Sequence, residues 1–198
     1  MIVAVEDVVS EAVVRRIVTA VRPDLTVSVV IGKHGRSYIQ GRIRELNRTA
    51  RSVPVLVLVD LDKAVPCPAD LIESWLPSPR APKLLFRLAV MEIESWLMAD
   101  RDAIAEFLSV PLHRVPMNPD TVLQPKELIV SMARKSRRKE IRDDLVPADG
   151  DTRIVGPAFN ARLTAFATNT WNPHAAGVNS PSLGRTLERL RSAFRSTD

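Results

Sequence analysis

The run Val53-Pro54-Val55-Leu56-Val57-Leu58-Val59 ends abruptly in Asp60-Leu61-Asp62. An unbroken apolar, β-branched stretch of this length predicts a strand buried on both faces. Such strands belong to parallel sheets covered by helices on either side. That requirement constrains the whole fold and also marks a place for chemistry. Open α/β sheets hold their ligands beyond the carboxyl ends of the strands. Period 2 puts Asp60 and Asp62 on one side of the chain if the strand continues through Asp62. Two carboxylates there repel each other unless a cation or a shared proton lies between them. Paired oxygen ligands suit a hard cation such as Mg²⁺.

The flanking sequence supplies the rest of such a sheet. Residues 2–5 read as a short buried strand with Glu6 at its end. Residues 10–21 carry a helical pattern, with Ser10 as a plausible N-cap and Pro23 closing the element. Residues 26–31 form a second β-branched run, followed by the loop Gly32-Lys33-His34-Gly35. Residues 38–49 read as a helix that leads into the central run. Strand-helix-strand-helix-strand predicts an α/β fold with a mostly parallel sheet flanked by helices. A proline-rich passage, 66–82, holds a short helix at 70–76. Residues 84–90 read as a fourth strand, followed by helices at 92–99 and 102–108.

The remainder changes character. Pro111, Pro116, Pro119 and Pro125 interrupt it. A helix is predicted over 126–136, extended by the charge run Arg134-Lys135-Ser136-Arg137-Arg138-Lys139. A turn follows at Ala148-Asp149-Gly150-Asp151, then two closing helices over 157–168 and 182–194. The expected division is an α/β core over 1–110 and a mostly helical extension over 111–198, packed on that core. At 198 residues the chain is long enough for one sizeable core.

Acidic residues follow three of the apolar runs: Glu6 after the first, Asp60 and Asp62 after the third, Glu92 and Glu94 after the fourth. In a parallel sheet these ends converge on one rim. Each alone is more simply a helix-start or surface charge, because carboxylates favour helix N-termini. Together they could hold one or two divalent cations, Mg²⁺ or Mn²⁺, and clamp the oxygens of a phosphodiester displacement. One of Glu92 and Glu94 is the better ligand. In a strand both face one way, whereas in a helix residues two apart diverge.

Weaker candidates surround them. Lys33 and His34 lie in a loop that could contact phosphate, although it lacks the Gly-Lys-Ser/Thr ending of a P-loop. Lys126, behind Pro125 at a helix start, could neutralise a scissile phosphate. Arg134 and Lys135 could track a nucleic-acid backbone, although such runs are more often solvated faces. The net charge of +5 permits a polyanionic partner without demanding one.

Other classes are disfavoured. A single cysteine, Cys67, excludes an intramolecular disulfide and a cysteine-rich zinc site. The first residues read as a strand rather than a signal peptide, and no apolar run reaches membrane-spanning length, so a cytoplasmic location and no membrane contact are expected. Aromatics at 5% disfavour a base-stacking single-strand binder.

These motifs resemble the TOPRIM-like family known as domain-of-unknown-function family 4276, related to the OLD-type nucleases. The matching pieces are Val5-Glu6-Asp7 with Ser10-Glu11, Leu58-Val59-Asp60-Leu61-Asp62, and Glu92-Ile93-Glu94-Ser95-Trp96-Leu97. Pro125-Lys126 is similar to that family's Pro-Ser-Lys element with one residue missing. The likeness spans residues 1 to about 135. It implies a TOPRIM/Rossmann-like α/β fold with Glu6 as metal ligand or general base, and with Asp60 and Asp62 as the Mg²⁺-binding pair. It also implies that Glu94 or Glu92 completes the site and that Lys126 assists charge stabilisation.

The implied chemistry is metal-dependent phosphodiester cleavage of nucleic acid, often in bacterial defence against phage. In one departure, Asp7 stands where the family has glycine, which puts the metal geometry in question. OLD-type nucleases usually carry an ATPase domain. No Walker motif occurs here, so a separate ATPase partner is an implied possibility. The competing expectations are a non-catalytic scaffold or regulatory subunit that retains the fold, and a phosphohydrolase acting on small phosphoesters.

Overall fold

Side-chain alternation along the strands divides the core in two. A computed structural model describes residues 1–61 and 67–194; Asp62 lies outside the described residues. The strands are β1 (Ile2–Val5), β2 (Val29–Gly32), β3 (Val55–Leu61) and β4 (Leu84–Val90), all parallel, in the order β2-β1-β3-β4. The expected α/β fold with a parallel sheet is therefore the one observed. Val3, Val5, Leu56, Leu58, Leu85 and Ala89 enter one core; Ala4, Val55, Val57, Val59, Phe86 and Leu88 enter the other. Every described residue of β3 except Asp60 is buried, as the unbroken apolar run requires.

Helices cover both faces. The second core is closed by α2 (Arg36–Thr49) and α3 (Pro68–Trp75), through Ile39, Ile43, Leu46, Leu71 and Trp75. The first is larger. It takes α1 (Val8–Val21), α4 (Ile93–Ala99) and α5 (Arg101–Leu108), followed by α6 (Pro125–Ala133), α7 (Lys139–Leu145), α8 (Phe159–Asn169), α9 (Pro173–Asn179) and α10 (Pro181–Ser192). Two buried tryptophans tie early helices to late ones. Trp171 Nε1–H donates to the Trp96 carbonyl at 3.1 Å, and Trp96 Nε1–H donates to Ser182 Oγ at 2.7 Å. Both rings are fully buried, so their polar atoms need those partners. Among the described residues, no helix is long and apolar enough to cross a membrane.

Several elements differ from their sequence expectation, each for a local reason. Helix α1 starts at Val8, because the Asp7 carboxylate caps it by accepting the Ser10 N–H at 2.8 Å; Ser10 itself is buried inside the first turn. Strand β2 begins only at Val29, since Thr26 and Ser28 are used by the chain start. The Met1 amino group donates to the Thr26 carbonyl at 2.6 Å, and the Ser28 N–H donates to the Met1 carbonyl at 3.0 Å. Helix α6 stops at Ala133 rather than running through the charge run. The Ser136 side chain accepts the Arg138 N–H, and Arg137 N–H donates to the Ser109 carbonyl, so the chain bends and restarts at Lys139. Helix α9 has no counterpart among the helices the sequence predicts. Its cap, Asn172, accepts from His174 and Ala175, and Pro173 sits in its first turn.

Gly32 ends β2 against the tip of β1. Its φ is +111°, and a Cβ there would lie 2.1 Å from the Val5 carbonyl oxygen. Gly32→Ala is expected to lower the unfolding free energy by about 2 kcal/mol, read as an earlier urea midpoint. An unchanged midpoint would show that the β1–β2 junction relaxes freely.

Candidate functional site

The strand ends meet as the topology requires. Glu6 follows β1 and Asp60 is the next-to-last residue of β3, the adjacent strand. The ladder between those strands reaches Ala4 and Val57. Beyond it, Glu6 Oε1 accepts the backbone N–H of Asp60 at 2.8 Å. The Glu6 side chain thus takes over where the backbone pairing stops, which fixes its carboxylate at the tip of β3.

The third acidic group arrives by a sharp turn. Met91 adopts a left-handed conformation, φ 64°, between β4 and α4. A non-glycine residue there is strained, which is common beside functional sites. The turn makes Glu92 the cap residue of α4 and Glu94 part of its first turn. The two then diverge, as a helix demands. Glu92 Oε2 accepts the backbone N–H of Lys126, 3.2 Å away at the start of α6. That N–H belongs to the unpaired first turn of a helix, where carboxylates are favoured.

Glu94 is different. Its side chain is 0% exposed, and neither carboxylate oxygen has a hydrogen-bond partner. The nearest cation, Lys126 Nζ, stands 3.7 Å from Oε1. A buried, unsatisfied carboxylate is costly unless protonated or given a cation. Burial pushes its pKa up to about 7, with Glu92 and Asp7 adding to the rise and Lys126 opposing it.

The same crowd acts on Asp60. Its carboxyl is held well above the usual range by burial, then by the charges of Glu94 and Glu6, with Asp7 adding and Lys126 opposing. For Lys126, burial works to lower the ammonium pKa, but Glu94, Glu92, Asp60 and Asp7 together raise it. Lys126 is therefore a charged ammonium among carboxylates at any ordinary pH. It also borders, with Glu92, Gln124, Glu127, Ile154 and Val155, a cleft of about 260 Å³. Lys126→Met would leave the Glu94 carboxylate without its cation. The expected cost is about 2 kcal/mol at pH 8 and much less at pH 5, where Glu94 holds a proton. Equal losses at both pH values would detach Lys126 from Glu94.

Glu6, Asp60, Glu92, Glu94 and Lys126 are thus brought to one rim. Asp7, the departure from the family's glycine that bears on the metal geometry, adds its charge to the same rim. Its carboxylate is at the same time the cap of α1, three residues before Ser10. The weaker candidates lie elsewhere. Lys33 Nζ pairs with Glu11 at 3.1 Å, and the His34 ring packs on Tyr38 at 5.0 Å between centroids. Both belong to the loop whose Gly35 N–H donates to the Glu6 carbonyl, so they flank the rim. Arg134 and Lys135 are exposed at the far end of α6, about 12 Å along the helix from Lys126.

Among the described residues, no three histidine, cysteine, aspartate or glutamate side chains are grouped closely enough to hold a metal ion. The donor chemistry suits a hard cation: all the candidate groups are carboxylates, and neither oxygen of the buried one has a hydrogen-bond partner, its charge facing the Lys126 ammonium. Glu6, Asp60 and Glu94 bring such oxygens to the rim, yet as they stand they are not gathered into an ion-holding group.

No protein-family model matches the chain, and no curated protein matches it. Among solved structures the chain is similar to the C-terminal region of the Burkholderia pseudomallei OLD protein, with 14% identity, 96% of each chain covered and a TM-score of 0.42.

Proposed function

We propose that the rim is the site of a Mg²⁺- or Mn²⁺-dependent phosphodiester hydrolysis, with nucleic acid as substrate. The observation that carries this reading is Glu94, a fully buried carboxylate with no hydrogen-bond partner, facing Asp60 and Lys126. A group so placed is costly unless something positive completes it. A divalent cation held by Glu6, Asp60 and Glu94 would polarise a phosphoryl oxygen and activate water.

The chain's own groups have separate tasks. Glu6, fixed by the Asp60 N–H, is pre-oriented and loses little freedom when it binds. Lys126 presents a permanent positive charge at the 260 Å³ cleft, where charge developing on a phosphate would be met. Asp62 is proposed as the remaining member of the pair from its spacing to Asp60 alone. Arg134 and Lys135 would meet the polymer backbone beyond the cleft. The finer assignment, membership of family 4276 with a role in phage defence and a separate ATPase partner, rests on the motif resemblance.

A second reading, hydrolysis of small phosphoesters, draws on the modest size of the cleft. The two separate in one assay. End-labelled DNA and RNA are incubated with the protein in Mg²⁺, Mn²⁺ or chelator, beside mononucleotides and a chromogenic phosphodiester. Cation-dependent shortening of polymer is expected. Turnover of mononucleotides that polymer does not inhibit would favour the small-substrate reading. No turnover of any substrate would favour a scaffold that retains the fold.

A further inference from the structure

The strand β4 ends the sheet on one side, and the parity of its hydrogen bonds follows from a single bond. The Val55 N–H donates to the Lys83 carbonyl at 2.9 Å, and Val55 lies opposite Leu84. In a parallel pair, alternate residues turn both backbone groups toward the same neighbour. The backbones of Leu85, Arg87 and Ala89 therefore face β3, and those of Phe86, Leu88 and Val90 face outward. Among the described residues, no strand pairs with that outer side.

The open edge is the floor of a groove of about 250 Å³ between α3 and α10, bordered by Ile72, Phe86, Leu88, Val90, Arg87 and Arg185. Its charge has one sign. Arg87 is half-buried in mid-strand, with its Nε–H donating to Thr186 Oγ1 at 3.2 Å. Burial first, then the neighbouring charges of Arg189 and Arg185, hold its guanidinium below the usual pKa. None of these three arginines has a carboxylate partner among the described residues. A bland reading is that charge here only blunts an edge against aggregation. One inward charge would serve that end, whereas two guanidiniums on the groove, with Arg189 close enough to act on Arg87, leave a standing demand for anions.

We propose that this groove takes an extended acidic peptide segment of a partner protein, which pairs with β4 as a fifth strand and sets its carboxylates against Arg87, Arg185 and Arg189. Strand addition draws affinity from main-chain hydrogen bonds, and charge selects the segment. A second copy of this chain fits poorly, because edge-to-edge pairing would bring both sets of arginines together. A nucleic-acid strand fits poorly too. The outward carbonyls of Phe86 and Leu88 are acceptors, and phosphates offer them no donor. A peptide brings both donors and acceptors.

The probe is a fluorescein-labelled peptide of four Glu-Val repeats, followed by anisotropy with the full chain. Binding is expected, with none for four Lys-Val repeats. Two further peptides are N-methylated on all glutamates or on all valines. At least one should bind at least about 10-fold more weakly, because it loses its ladder donors. Arg185→Glu and Arg189→Glu, on the surface of α10, should each weaken binding at least about 10-fold without lowering the melting temperature. The amides of Phe86, Leu88 and Val90 should gain protection from hydrogen exchange when the peptide is bound. The proposal is overturned by absence of binding, or if both methylated peptides bind as tightly as the unmethylated one, which would mean charge attraction alone. It is equally overturned if single-stranded DNA displaces the peptide at lower concentration than the unlabelled peptide does. A dimer that Arg185→Glu dissolves would overturn it as well, by giving the edge to a second copy.

Discussion

In a chelating buffer the protein is expected to lose about 3 kcal/mol of stability between pH 4.5 and pH 7 through Glu94 alone. Its carboxyl, with an ordinary value of 4.5, is raised to about 7 in the fold, so the folded state binds that proton more tightly than the unfolded chain does. Below pH 4.5 both states carry the proton and the full stability is present. Between 4.5 and about 7 the unfolded chain gives up the proton while the folded protein keeps it, so stability falls, and above 7 the buried group ionises too and the loss is complete. Asp60, also raised, adds a loss of the same sign. Glu94→Gln should remove the Glu94 share and leave a shallower slope. Millimolar Mn²⁺ should reverse the trend, because a cation binds the ionised carboxylates and stabilises more as pH rises. Urea unfolding at pH 5 and pH 8, with and without Mn²⁺, measures all of this. A flat wild-type profile in chelator would mean that Glu94 finds a partner in solution.

The second large effect is on activity. Asp60→Ala should reduce cation-dependent cleavage by about 100-fold or more, on the scale of removing one preorganised electrostatic group from an active site. Stability should move the other way. The substitution removes a crowded carboxyl at a half-buried position, so unfolding at pH 8 should be no easier than in the wild type. Opposite movements separate a chemical role from a damaged fold. Cleavage retained in Asp60→Ala would remove Asp60 from the reaction. Cleavage lost along with stability would make it a structural residue.

Much of this arrangement is legible in the sequence. The run from Val55 to Leu61 could only be a strand with both faces covered, and that one inference carries the parallel sheet and its flanking helices. The acids at the strand ends follow from counting along each run. What does not follow is anything set by distant contacts. Nothing local in the sequence says that β1 lies between β2 and β3, and this order is what lets Glu6 accept the Asp60 N–H. Glu92 and Glu94 are equivalent as letters. They part because Met91 takes a left-handed turn, which sends Glu94 inward and leaves Glu92 to the start of α6.

Helix limits depart from the sequence pattern where side chains compete for backbone groups. Asp7 takes the cap that Ser10 was expected to supply, and Ser136 breaks a helix that charge spacing alone would extend. By sequence alone Arg87 is one polar position inside an apolar strand. Its half-burial beside Arg185 and Arg189 depends on α10, almost a hundred residues later in the chain.

The most direct measurement is of cation binding itself, which needs no substrate. Mn²⁺ is titrated into the wild-type protein, Asp60→Ala and Glu94→Gln, with free Mn²⁺ read by electron paramagnetic resonance. Saturable binding by the wild type below about 1 mM is expected, weakened at least about 10-fold in both variants, since each removes one ligand. Wild-type protein that binds no Mn²⁺ at millimolar concentration, or variants that bind it as tightly as the wild type, would contradict a cation site built from Glu6, Asp60 and Glu94.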